Sequence, residues 1–221
     1  MGILDEPVRS EVKKIFEGLK EPVKLLVFTQ ESPIVMPTLE CENCRDNRLL
    51  MEELSSLSDK LSIEVYDFLK DKDKVEEYKI EKIPANVIRD ESDYGIRFFG
   101  MPAGYEFSTL IEGIKLVSSR NSGLTADIRE KIQAINNPVQ IKVFVTLTCP
   151  YCPQAAITAF KFAMENPLIT AETINAQEFP HLAQRFNVFA VPKIVINDTV
   201  QFEGALSESL FLEKILNSIQ T

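Results

Sequence analysis

Two Cys-x-x-Cys pairs, Cys41-Glu42-Asn43-Cys44 and Cys149-Pro150-Tyr151-Cys152, hold all four cysteines of the chain. Each is followed at one distance by a proline: Pro84 lies 40 positions after Cys44, and Pro192 lies 40 after Cys152. An offset of 108 carries Cys41 onto Cys149, Cys44 onto Cys152, Tyr78 onto Phe186, Ile83 onto Val191, Pro84 onto Pro192 and Ile88 onto Ile196. The apolar run ahead of the cysteines maps at 116, with Pro22-Val23 on Pro138-Val139 and Phe28 on Phe144. The difference, eight residues, is extra length in the segment that contains Pro33 and Pro37. Agreement at so many positions marks one unit written twice. The Ser- and Asn-rich stretch Ser118 to Gly123 is the expected join, which gives units 1–120 and 121–221.

Each unit reads in one order. Asp5-Glu6-Pro7 starts a helix, and Val8, Val12, Ile15, Phe16 and Leu19 give it one apolar face. A strand over 23–29, the cysteine pair and a helix carrying Leu50 and Leu54 follow. Then come a strand over 62–68, a short helix over 72–79, a strand from Ala85, a second strand over 96–99 and a helix within 102–117. The second half repeats this from a helix capped by Thr125 to a last helix capped by Ser207. Strand–helix–strand segments demand right-handed parallel crossovers. The expected fold is α/β: two fused units, each a four-stranded mixed sheet flanked by helices.

A net charge of −9 with no basic run argues against nucleic acid or anionic membranes. No apolar stretch reaches about 18 residues, so no transmembrane helix is expected. The acidic start, Met1 to Glu6, lacks a signal peptide's basic start and apolar core. The chain reads as cytoplasmic and monomeric. Four cysteines are too few for a stapled secreted scaffold, and two close pairs point to redox chemistry or metal.

A cysteine at a helix start sits near unpaired N–H groups and the positive end of the dipole, and both favour thiolate. The order assigns roles: Cys149 and Cys41 attack, while Cys152 and Cys44, one turn into their helices, resolve the mixed disulfide. Tyr151 lines a substrate groove. Glu42 opposes a thiolate in the first pair and Arg45 favours it, whereas Pro150 and Tyr151 add no charge. Pro33, Pro37 and the extra residues would also cover the first pair. Cys149–Cys152 is therefore expected to be the faster centre. Zinc between the pairs is the weaker reading, because zinc ribbons separate their pairs by about 15–20 residues and 105 separate Cys44 from Cys149 here. No metal is expected. Glu64, Asp67 and Glu172 are candidates to assist proton transfer but read as surface residues. His181 reads as surface with no catalytic role.

Cys-Pro-Tyr-Cys after Lys142-Val143-Phe144 resembles a glutaredoxin active site. Val191-Pro192 resembles the cis-proline segment of the thioredoxin fold, as does Gly204-Ala205-Leu206-Ser207 before the last helix. The tandem arrangement is similar to the thermophile protein disulfide oxidoreductases, over essentially the whole chain. The resemblance implies that Pro84 and Pro192 are cis, and that Ile83 and Val191 dock a substrate backbone. It also implies dithiol–disulfide exchange on protein cysteines, by reduction, oxidation or isomerisation as in protein disulfide isomerases. No cofactor would be bound, and electrons would come from NADPH through a thioredoxin reductase. Departures are the absence of tryptophan and the presence of Val27 and Val143 where an acid would assist proton transfer. The alternatives are a dedicated electron carrier to a peroxiredoxin-like partner, a glutathione-dependent glutaredoxin, and a zinc-binding or chaperone module.

Overall fold

Asp5 accepts a hydrogen bond from the Val8 N–H and so caps the first helix, which has a proline in its first turn. In this computed structural model, which describes residues 2–31 and 41–219, the first half runs α1 (Glu6–Phe16), β1 (Val23–Thr29), α2 (Cys44–Ser55), β2 (Leu61–Asp67), α3 (Lys72–Glu77), β3 (Ala85–Arg89), β4 (Ile96–Phe99), α4 (Tyr105–Ser119). The second half repeats it as α5 (Ala126–Gln133), β5 (Val139–Val145), α6 (Cys152–Glu165), β6 (Ile169–Asn175), α7 (Pro180–Arg185), β7 (Lys193–Ile196), β8 (Val200–Glu203), α8 (Glu208–Ile219). Strands β1 and β5 are buried at every position except the second, as strands covered on both faces must be. Thr125 stands at the start of α5 but makes no side-chain cap. The Pro33–Pro37 segment lies outside the described residues.

The eight strands form one continuous sheet, in the order β2-β1-β3-β4-β6-β5-β7-β8. Within each half the central strand pairs parallel with one neighbour and antiparallel with the other. The halves are joined by β4 and β6, which pair in parallel from Ile96 opposite Ala171 to Phe99 opposite Ile174. The first half's last strand is therefore an interior strand and not the open edge that its hairpin suggested. Across this seam Phe98 of β4 meets Phe160 of α6 with ring centroids 5.3 Å apart. The larger core collects buried residues of α1, α2, α4, α5, α6 and α8. The smaller one, on the opposite face, centres on Tyr78, Phe179 and Phe186 around α3 and α7.

Strand directions place the two cysteine pairs. Reading β1, β3, β4, β6, β5 across the sheet, the two antiparallel steps cancel, so β1 and β5 point the same way. Both pairs thus open at one end of one sheet. Four strand steps of about 4.8 Å set β1 and β5 about 19 Å apart.

Candidate active site

At the first centre, Cys41 and Cys44 form a disulfide with their Cα atoms 5.4 Å apart. The Cys41 N–H donates to Gln30 Oε1 at 3.0 Å. Helix α2 begins at Cys44 and α6 begins at Cys152, so the resolving cysteines are the first helical residues and not a turn further in. The Ile83–Pro84 bond is cis. Beneath Cys44, Asn47 and Asn86 exchange side-chain hydrogen bonds of 2.9 and 2.8 Å, with both residues fully buried. A cleft of about 660 Å³ opens over this centre. Cys41, Glu42, Ile83 and Pro84 line one side of it, and Leu147, Gln177 and Glu178 of the second half line the other.

At the second centre, Cys149 and Cys152 are free thiols. Cys149 is 8% exposed and Cys152 fully buried, an order that suits attack by the first and resolution by the second. The Val191–Pro192 bond is cis, and the Cys149 thiol donates to the Val191 carbonyl at 3.5 Å. Tyr151, between the cysteines, is 66% exposed. Burial, above all, pushes the Cys152 thiol pKa far up; a hydrogen bond with Cys149 and the negative charge of Glu106 add to it. At neutral pH Cys152 is therefore a thiol in need of a proton acceptor.

Glu106 answers that need. It lies in the first turn of α4, only 2% exposed, and neither carboxylate oxygen has a hydrogen-bond partner among the described residues. Burial pushes its pKa up to about 7; the neighbouring Thr109 hydroxyl, which forms no geometrically sound bond of its own, pulls the other way. The acid beside the second centre thus belongs to the first half of the chain. The start of α4 is held to the loop ahead of Cys149, because the Tyr105 N–H donates to the Leu147 carbonyl at 2.9 Å. Gly104, at φ +56°, makes the approach possible: a Cβ there would sit 2.2 Å from that carbonyl oxygen. Sequence reasoning missed Glu106. The available signal was an acid four residues before Leu110, on the buried face of an apolar helix.

The acids named from sequence do other work. Asp67 and Glu172 are buried and not on the surface. Burial raises the Asp67 pKa, but N–H donors from Glu31, Leu69 and Lys70 outweigh it and hold the carboxyl below its ordinary range. Glu172 accepts from the Gln140 side chain, and Glu64 pairs with Lys24. His181 is exposed and meets Phe179 edge-on. Among the described residues no cluster of three or more His, Cys, Asp or Glu is placed to hold a metal ion.

Known proteins share this architecture. A thioredoxin-domain family model matches residues 139–217. A protein disulfide oxidoreductase from Aeropyrum pernix K1 is 32% identical, with a TM-score of 0.90 over 99% of this chain and 96% of that one. The NTD_N/C domain of alkylhydroperoxide reductase AhpF from Enterococcus faecalis gives 28% identity and a TM-score of 0.86, over 96% of this chain and 99% of that one. The alkyl hydroperoxide reductase AhpF of Pseudomonas aeruginosa is 24% identical over 213 residues; the match takes in 96% of this chain but spans only 37% of that relative's length. Paired thioredoxin folds, each with a Cys-x-x-Cys, define a tandem thiol–disulfide oxidoreductase. The chain belongs to the protein disulfide oxidoreductase family.

Proposed function

We propose that the chain exchanges dithiols and disulfides on protein substrates through both cysteine pairs, with Cys149–Cys152 the faster. The observation that carries this reading is the set at the second centre: an attacking cysteine against the cis-Pro192 segment, a buried resolving thiol, and Glu106 beside it. The Cys149 thiolate attacks a substrate disulfide, a mixed disulfide forms, and the first substrate thiolate leaves. Cys152 then gives its proton to the Glu106 carboxylate and attacks Cys149. The new Cys149–Cys152 disulfide releases the second substrate thiolate, so the substrate gains the two electrons the enzyme loses. Val191 and Ile83, each before a cis-proline, would dock the substrate backbone; Tyr151 would line the groove. The first centre has a neutral amide pair beneath it where the second has an acid, which supports its slower standing. Units 1–120 and 121–221, a monomeric state, a cytoplasmic setting and NADPH-derived electrons from a thioredoxin reductase complete this reading.

Insulin reduction tests it. Cys149→Ser should lower the rate by at least about tenfold, the scale set by losing a nucleophile and its acid–base partner, and Cys41→Ser should lower it much less. Equal losses would contradict the ranking. A dedicated electron carrier is the second reading, favoured by the likeness of this chain, over nearly its whole length, to a domain of alkyl hydroperoxide reductase AhpF. Activity on neither insulin nor scrambled ribonuclease would favour the carrier.

A further inference from the structure

The two centres open on one sheet end, but their rims differ in chemistry. At the offset of 108, Glu42 answers to Pro150, Asn43 to Tyr151 and Glu81 to Phe189. Around the second centre this leaves two aromatic rings in water: Tyr151, 66% exposed, and Phe189, 90% exposed. Tyr151 follows Cys149 by two residues. Phe189 precedes by two residues the Val191 whose carbonyl meets the Cys149 thiol. Successive Cα atoms lie about 3.8 Å apart, so both rings flank the reactive sulfur within one short segment. Rings held in water beside a reactive sulfur retain their apolar surface for a partner. At the first centre the cleft carries the carboxylates of Glu42 and Glu178, and no cation lines it. Glu178 keeps its charge within neutral bonds from the Met101 N–H and the Asn175 amide. Nearby Lys82 is spent on the ring of Phe99, 3.6 Å away, and Arg45 stands outside the lining.

We propose that the two centres sort partner proteins by the side chains next to the partner's cysteine: the second prefers apolar neighbours, the first Lys or Arg. Phe189 and Tyr151 are the specificity-determining residues of the second, and Glu42 and Glu178 of the first. The proposal rests on the thiol–disulfide exchange reading above. It assigns different clients to the two halves, so that doubling the fold widens the substrate range and not only the turnover.

Single-turnover exchange tests this. Two peptides carry one cysteine capped as a mixed disulfide with thionitrobenzoate; the residues beside it are Lys and Arg in one, Leu and Phe in the other. An enzyme thiolate attacks the peptide sulfur, and thionitrobenzoate leaves with the electron pair and is read by absorbance. The C41S/C44S chain, reduced, reports the second centre and should favour the apolar peptide by about fivefold, the order expected for a half-buried apolar contact. The C149S/C152S chain should favour the basic peptide by about threefold, a preference that added salt erases. F189E in the first of these chains should abolish or reverse its preference. The same peptide ratio at both centres, or an unchanged ratio in F189E, overturns the sorting alone. No release from either peptide overturns the exchange reading, and the sorting with it. Failure in the insulin assay alone touches neither outcome, because one turnover needs no recycling.

Discussion

Glu106 gives the molecule a pH dependence with a definite sign. Its carboxyl is raised from 4.5 to about 7 by burial, so between those values the folded chain holds a proton that the unfolded chain has released. Stability is then fullest below the unfolded value and falls as pH rises through about 7. A shift of this size corresponds to about 3 kcal/mol. Glu106→Gln, which cannot ionise, should flatten the fall in stability from pH 5 to pH 8 measured by urea unfolding. It should also slow resolution at Cys152 by about tenfold to a hundredfold, the usual loss on removing a proton acceptor. Wild-type resolution should gain rate as pH rises through about 7, where the carboxylate forms, and the variant should lose that rise. An unaltered slope in both measurements would show that the proton leaves by another route. The four cysteines and two prolines were legible because their chemistry lies in residue type and spacing. Glu106 was not, since its role depends on a helix of one half reaching beneath the centre of the other.

At the scale of elements, the start of α4 decides whether that acid arrives. Gly104 adopts φ +56° and ψ −131°, a region that costs any other residue about 1–3 kcal/mol. A Cβ there would also strike the Leu147 carbonyl oxygen. Gly104→Ala should lower the melting temperature and slow the second centre while leaving Cys41–Cys44 exchange near its original rate; equal slowing at both would mean a general loss of structure. Element order was legible in the sequence, because apolar periodicity and turn residues are local signals. The helices start at Cys44 and Cys152, later than the sequence suggests, since Asn43 and Tyr151 adopt non-helical or isolated turn geometry just before them. From the sequence, Gly104 is only a residue near a helix start. Its partner, Leu147, lies 43 positions away, beyond any local pattern.

For the whole molecule, the shared sheet sets the distance between the centres. A disulfide requires Cα atoms within about 7 Å, and β1 and β5 stand about 19 Å apart. Direct exchange from one pair to the other is therefore closed to the folded chain, and electrons pass between them only through a partner that visits both. The C44S/C152S chain, left with Cys41 and Cys149, should form no internal disulfide on mild oxidation; a Cys41–Cys149 peptide in the mass spectrum would show that the sheet opens. The repeat foretold two similar units. It could not foretell the joining of β4 to β6, because a strand's sequence declares burial and not the identity of its neighbour. Arg97 and Glu172, facing each other in that register, gave no outward sign of it.

The β4–β6 seam also bears on how such a chain can be divided. Each of those strands has its second row of backbone N–H and C=O groups satisfied only by the other half. A fragment holding the second unit alone would keep Cys149, Cys152 and Pro192 and would bare the length of β6, rich in Ile, Thr and Ala, as a raw margin ready to recruit other chains. The first unit would bare β4, with Phe98 stripped of Phe160. The duplication has thus become mutual custody: each half shields the other from self-association, and a gene that separated them would trade two catalysts for two aggregation-prone remnants.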